Sequence, residues 1–454
     1  MKIIIVGAGE VGYNIASRLA SENKQVIVID KNPDAVRRLS ERLDVQVILA
    51  SGSNPKILID AGIKETDILL AVTDSDETNL VTCLMADLIS PTTKKLARIR
   101  NSDFDSYYDR FKKENPHIDT IINPEIEVVN TIKRLMVVPG AVDVGDFADG
   151  RVKYVGIRLD RHSPMAGMKL FDFSLKFGED RPLIAAIIRN NEVIVPKGDN
   201  NIESGDLIYF VSETEKLEKM LTLFGKKIIP IQRALIIGGG RIGERLAKSF
   251  ETDSIKTKII ESDIGRCHYL SERMEKTVVL HGDGSDQKLF LEENCGQNDV
   301  VVSVTNDDET NILVSLLAKN MGVKNTITRI GKSTYFPLLA TIGIEKVVSP
   351  RLSAVSSILK EVRKGKVLSD MSILGGRGEF IEAIALETSD ITDQPLKKIS
   401  FPKGAILVCI LRNGQIMIPA GNSVVNPNDR IIMFAVKHAV KKLEKLLTVK
   451  LDFF

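Results

Sequence analysis

The stretch Ile3-Ile4-Ile5-Val6-Gly7-Ala8-Gly9-Glu10-Val11-Gly12 sets an apolar run directly before a GxGxxG turn. The run reads as a buried strand, and Val11 to Ala20 behind it carries helical spacing. In such a unit the first glycine makes the turn, the second lets a pyrophosphate approach the backbone, and the third permits close packing of helix on strand. The helix N-terminus then offers unpaired N–H groups and a positive dipole end to phosphate. Alone the motif is weak, because glycine turns also serve connections that hold nothing.

The motif does not stand alone. Gly238-Gly239-Gly240-Arg241-Ile242-Gly243 repeats it behind a second apolar run, with a helix expected over Ile242–Phe250. Asp30 and Glu261 each end the next strand at equal distances from their glycine turns. A carboxylate there accepts both hydroxyls of an adenosine ribose and repels a 2′-phosphate, which disfavours NADP. Thr73-Asp74 and Thr305-Asn306 fall after a fourth strand, at the crevice where open α/β sheets take ligands. They suit contact with ribose or adenine, helix capping, or both. Arg98 and Arg329 close the strand after that, where a guanidinium either reaches a phosphate or makes a surface ion pair. The fingerprint reads the adenosine diphosphate shared by NAD(H), ATP and ADP and leaves the choice among them open.

The whole chain is written twice. Thr73–Asn79 recurs as Thr305–Asn311, Arg189–Gly198 as Arg412–Gly421, and Gly205-Asp206 as Asn428-Asp429. The order is A-B-A-B. In the A segments, strands at Lys2–Val6, Gln25–Ile29, Val45–Leu49 and Ile68–Val72 alternate with helices, which predicts a doubly wound parallel sheet. The B segments have short β-branched runs broken by Gly, Asn and Pro, the mark of a small antiparallel or α+β domain. Between A and B a helix carries Ile126, Val129, Ile132 and Met136, mirrored by Leu352, Val355, Ile358 and Val362. That stripe packs either on the chain's own core or on a partner lobe.

Composition limits the function classes. Lys+Arg 62 against Asp+Glu 60 leaves a formal charge of +2, with no field to draw nucleic acid or an anionic membrane. Apolar runs such as Ala405–Leu411 are far short of the ~18–20 residues that cross a bilayer. The N-terminus has no signal-peptide core, so a cytosolic place is expected. Cys83, Cys267, Cys295 and Cys409 are scattered and read as free buried thiols; no metal is indicated. None of the five histidines recurs at its repeat position, and no GxSxG, GK[ST] or HExxH stretch is present. A soluble NAD-linked oxidoreductase needs a proton donor or acceptor near the nicotinamide. Pro196/Pro419, Gly198/Gly421 and Asp206/Asp429, shared by the B copies, read instead as turn chemistry. No catalytic residue is assigned, and sensing is the preferred reading over that oxidoreductase.

On these residues the chain resembles the TrkA family, the cytosolic regulatory subunits of bacterial Trk potassium uptake systems. The A segments are similar to RCK/KTN N-terminal domains through Gly7-x-Gly9-x-x-Gly12, Asp30, Thr73-Asp74, Arg98 and their second-half equivalents. The B segments resemble the family's ligand-sensing C-terminal domains. The resemblance implies two Rossmann-like domains at 1–124 and 232–350 and two small α+β RCK C-terminal domains at 142–226 and 369–454. Crossover helices and linkers at 125–141 and 351–368 would join them. It also implies NAD(H), or else ATP or ADP, along both GxGxxG turns. The partners implied are a membrane-embedded Trk-type potassium transporter subunit and further copies of the chain, as a tetramer forming an eight-lobed ring at the inner membrane face. Family members often carry Gly-Asp after the third strand. Here the second half has Gly282-Asp283 and the first has Ala50-Ser51, so Asp283 joins the candidate residues of the second site only.

Overall fold

The first A segment places β1 (Lys2–Val6), β2 (Gln25–Asp30), β3 (Gln46–Leu49), β4 (Ile68–Ala71), β5 (Lys94–Arg98) and β6 (Thr120–Ile122) in one parallel sheet, in the order 3-2-1-4-5-6. The structure is a computed structural model that describes residues 1–22, 24–114, 117–138, 140–178, 181–190, 192–339, 341–362, 367–373 and 377–447. Parts of the expected linkers, Asn191 of the repeated B stretch and the end of the last expected domain, 448–454, lie outside the described residues.

Alternation along a strand sends neighbouring residues to opposite faces, and both faces of this sheet are covered. Ile3, Ile5, Val28 and Leu70 lie in one apolar cluster, while Ile4, Ile27, Ile29 and Leu69 lie in another. Helix Glu10–Ser21 buries Ile15, Ala16 and Leu19 on the first face. Helix Asp76–Ile89 buries Cys83 and Ala86 on the second.

The chain divides into two units, Met1–Glu127 with Pro350–Lys364, and Val128–Ser349 with Gly365–Phe454. The division follows the crossover helices. In the first unit, helix Pro350–Val362 buries Ala354, Ile358, Leu359 and Val362 among Ile3, Ile5, Val28 and Leu70. In the second, Val128, Val129, Ile132, Leu135 and Met136 of helix Pro124–Val137 pack with Ala234, Ile236 and Leu246. Each helix therefore docks on the A sheet of the opposite half, which resolves the two readings of its stripe.

The second A sheet repeats the first with β12 (Arg233–Ile237), β13 (Lys256–Glu261), β14 (Val278–His281), β15 (Val300–Ser303), β16 (Asn325–Arg329) and β17 (Val347–Val348), in the order 14-13-12-15-16-17. The B segments form antiparallel sheets. β7 (Ala141–Phe147), β8 (Val152–Arg158), β9 (Leu183–Arg189), β10 (Glu192–Ile194) and β11 (Leu207–Glu213) lie in the order 10-9-11-8-7. β18 (Val367–Ile373), β19 (Gly378–Ile384), β20 (Ala405–Arg412), β21 (Gln415–Met417) and β22 (Arg430–Val436) follow the matching order 18-19-22-20-21.

The two B sheets share an apolar cluster in which the Tyr154 and Phe380 rings stack at 4.9 Å. The buried Glu382 carboxylate accepts from the Ala148 amide at 2.8 Å and pairs with Arg430 at 2.5 Å. The shared Asp206 and Asp429 do more than turn chemistry. Each is buried and takes a two-pronged contact from an arginine of the neighbouring strand, Arg189 and Arg412, while still accepting a turn amide, from Glu203 and Asn426. All four cysteines are free and buried, and burial pushes the Cys83 and Cys409 thiols up to about 12. Among the described residues no helix is long and apolar enough to cross a membrane.

Candidate functional site

The three glycines of each turn are required for different reasons. Gly7 and Gly238 have φ of +114° and +102°, and a Cβ on either would lie 2.9 Å from the amide nitrogen of Thr73 or Thr305. A Cβ on Gly12 or Gly243 would lie 1.8 or 2.0 Å from the carbonyl oxygen of the first glycine. Gly9 and Gly240 are different: φ is −62° at both, and a Cβ there would meet nothing within 4 Å. Each caps the N-terminus of its helix without a side-chain hydrogen bond to the first amides. The fold demands the first and third glycines, while the second leaves open space in front of the first amides of its helix.

Ala8 and Gly239, between the glycines, donate their amides to the carboxylates that end β2 and β13. Asp30 accepts from Ala8 at 2.5 Å and from Asn32 at 2.7 Å, and Glu261 accepts from Gly239 at 2.7 Å and Asp263 at 2.9 Å. The carboxylate thus ties the glycine turn to its neighbouring strand end, and its remaining lone pairs stay available as acceptors. Val11 and Ile242, the next motif positions, are buried against their sheets.

Thr73 and Thr305 lie against the glycine turns at the ends of β4 and β15, but their hydroxyls are used internally. Thr73 donates through its amide and hydroxyl to the Asn79 side chain at 2.9 and 2.7 Å, and Asn79 donates to the Arg98 carbonyl at 2.8 Å. Asn311 does the same for Thr305 and Arg329. Neither threonine caps the following helix; Ser75 and Asp307 do, accepting from the Thr78 and Thr310 amides. Asp74 and Asn306 are exposed at the turn.

The buried Asn79/Asn311 and Asp76/Asp308 stand inside the repeated Thr73–Asn79 block, whose repetition marks them without showing what they hold. Asp76 accepts the amides of Arg100 and Asn101, and Asp308 those of Gly331 and Lys332, which fixes the chain beyond β5 and β16. Arg98 lies partly buried at this corner, its Nε without a partner. Burial, then the neighbouring Arg100, pulls its guanidinium down to about 10. Arg329 instead donates to the Thr305 carbonyl.

The charges around the two turns differ. Glu10 is flanked by Arg38 at 3.0 Å and Arg351 at 3.1 Å. In the second half Arg241 takes its place, and the carboxylate is the buried Glu244, held by Lys248 at 2.8 Å and Arg266 at 2.7 Å. Arg38 and Arg266 reach the same backbone spot from different helical positions, donating to the Ala8 and Gly239 carbonyls at 3.2 and 2.7 Å. Asp283 sits in an exposed turn that accepts from Ser285, and its neighbour Gly282 donates to the Glu261 carbonyl at 2.9 Å. Backbone and side-chain bonds from Ser285 hold the Asp283 carboxyl below its usual range.

Residues 3–124 and 234–350 match the TrkA-N domain, and residues 154–225 and 380–448 match the TrkA-C domain. The Trk system potassium uptake protein TrkA of Azorhizobium caulinodans is 36% identical over 458 residues, covering 100% of both chains. That of Halomonas elongata is also 36% identical, with the same coverage. TrkA homolog 2 of Methanosarcina mazei is 38% identical over 455 residues, covering 98% of this chain and 100% of its own. Among solved structures the GsuK RCK domain superposes with a TM-score of 0.61 at 16% identity, covering 98% of this chain and 94% of that one. The GsuK channel bound to NAD gives 0.60 at 16% identity, covering 98% and 78%. These structures share the RCK fold. The sequence relatives are named as parts of a potassium uptake system, and the oxidoreductase reading is set aside with them. With both domain types matched twice and the identity running the full length, the chain belongs to the TrkA family of Trk system potassium uptake proteins.

Proposed function

We propose that the chain is the nucleotide-responsive regulatory subunit of a potassium uptake system, binding NAD(H), or ATP or ADP, at both glycine turns. The observation that carries this reading is the open space over Gly9 and Gly240, set before helix amides at the switch point between β1 and β4 and between β12 and β15. The ribose would meet Asp30 or Glu261, and the phosphates the turn amides with Arg98 or Arg329. Thr73 and Thr305 shape the floor of the site more than they offer free hydroxyls. GsuK structures bound to NAD and to ADP support the class of ligand, as neighbours in fold.

The A domains at 1–124 and 232–350 are the nucleotide-binding parts, and the B domains at 142–226 and 369–454 are the regulatory ones. Bound nucleotide acts by preferring one shape of a ring of such chains, a tetramer of eight lobes, beneath a separate membrane-embedded Trk transporter subunit that holds the ring at the inner membrane face. A ligand shifts that gate only through unequal affinity for two ring shapes, typically ~1–3 kcal/mol of coupling.

Calorimetric titration of the full chain with NADH, NAD, ATP and ADP tests the reading. Gly9→Ala and Gly240→Ala place a methyl group in the open space at a backbone conformation any residue adopts. Each is expected to abolish one of two binding events while leaving thermal unfolding of the free chain unchanged. Absence of binding by all four nucleotides would overturn the proposal. With binding established, nucleotide-dependent K⁺ flux through a reconstituted Trk membrane subunit tests the gating step.

A further inference from the structure

Glu10, the first residue of the helix behind Gly9, holds arginines from two different parts of the chain. Arg38, from helix Pro33–Arg42, pairs with its Oε1 at 3.0 Å, donates to the Ala8 carbonyl at 3.2 Å and lies 5.0 Å over the Tyr13 ring. Arg351 comes from the crossover helix Pro350–Val362 of the second half and pairs with Oε2 at 3.1 Å. A carboxylate at a first helical position suits the helix dipole but opposes an incoming phosphate. Two guanidiniums against one carboxylate reverse that balance beside Gly9.

We infer that Arg351 is a phosphate-binding residue of the first site, contributed by the second half, and that it makes affinity at that site rise with the number of phosphates on the nucleotide. The inference rests on the nucleotide reading above. Arg38 is tied to the backbone, whereas Arg351 is held through the half-exposed Glu10 side chain, which a phosphate oxygen at the open face of Gly9 replaces with a stronger, two-pronged partner. The second site is built differently: Arg241 replaces Glu10, and Glu244 draws its cations, Lys248 and Arg266, from its own half. The two sites therefore differ in which half supplies the phosphate-facing cation.

The test is a titration with AMP, ADP and ATP in a Gly240→Ala background, which leaves the first site alone. Arg351→Ala is expected to weaken ATP about tenfold and AMP hardly at all, with Arg351→Lys recovering part of the loss. Glu10→Gln leaves the crossover helix untouched and removes the competing carboxylate, so ATP is expected to bind more tightly and AMP little changed. An equal loss for all three nucleotides in Arg351→Ala would make the arginine a mere clasp between helix and sheet, and overturns the inference. So does no loss at all. A parent protein that binds none of the three overturns the inference as well, whereas the nucleotide reading itself falls only if the unsubstituted chain also fails to bind NADH and NAD.

Discussion

At the scale of single residues, the glycine turn separates what the fold needs from what a ligand needs. Gly12→Ala sets a methyl group 1.8 Å from the Gly7 carbonyl oxygen and Gly243→Ala does so at 2.0 Å from that of Gly238, so helix and strand must part. Each is expected to destabilise its domain by about 1–3 kcal/mol or more, read by thermal unfolding, in contrast with the silent Gly9→Ala. Arg98 belongs to the opposite class, a cation whose burial costs stability while its Nε has no partner. Arg98→Met is expected to raise the unfolding midpoint of the free protein by about 1 kcal/mol equivalent and to weaken nucleotide binding, both measurable in one thermal-shift series. A lower midpoint would show that the guanidinium stabilises the corner. The glycines and strand-end carboxylates were legible because turn chemistry and strand ends leave a pattern in one dimension. The work of Asn79 and Asp76 was not, because an amide that bridges Thr73 to Arg98 joins two strand ends that meet only when β4 and β5 pair.

At the scale of elements, strands and helices fell within two residues of their expected limits, whereas the partner of each crossover helix did not follow from its stripe. A helical period identifies an apolar face; it does not identify the sheet that face meets. Ile358→Ala, in helix Pro350–Val362, removes a fully buried side chain from the core of the first A sheet. It is expected to cost about 2–5 kcal/mol and to speed amide exchange in β1 and β2, although the substitution lies in the second half of the sequence. Exchange that quickens only in β12 and β13 would contradict the swapped packing.

The first B sheet carries a pH response of its own. Burial raises the Asp143 carboxyl to about 6 from an ordinary 3.8, against the opposing pull of the Tyr154 and Tyr209 hydroxyls at 3.3 and 3.4 Å and of Arg134. A folded carboxyl that holds its proton more tightly than the unfolded one adds stability that is complete below about pH 4 and lost as pH rises through about 6. Asp143→Asn is expected to flatten that fall and to stabilise the protein at pH 7 by about 1–3 kcal/mol, seen in denaturant unfolding across pH.

At the scale of the molecule, each A sheet is completed by a helix from the other half, so neither half is whole by itself. A fragment of residues 1–231 keeps β1–β6 but loses the Ala354–Val362 face that covers Ile3, Ile5 and Leu70. It retains helix Pro124–Val137, whose Ile126, Val129, Ile132 and Met136 stand at the positions of Leu352, Val355, Ile358 and Val362 in the missing helix. The fragment is therefore expected to pair with a second copy by exchanging that helix, giving twice the fragment mass in light scattering. A stable monomer with an ordered A domain would rule this out.

The exchange of helices also bears on how the two halves can diverge. In a pair of identical chains every substitution falls on both seams at once, and each residue must suit its own copy. Within one covalent chain the seams are free to change separately. Here they have done so: Lys94 and Thr120 meet Glu361 across the first, at 3.0 and 3.1 Å. The matching positions of the second hold Asn325 and the buried Leu135. One self-complementary contact is thereby replaced by two that mutate independently, so either seam can change without breaking the other.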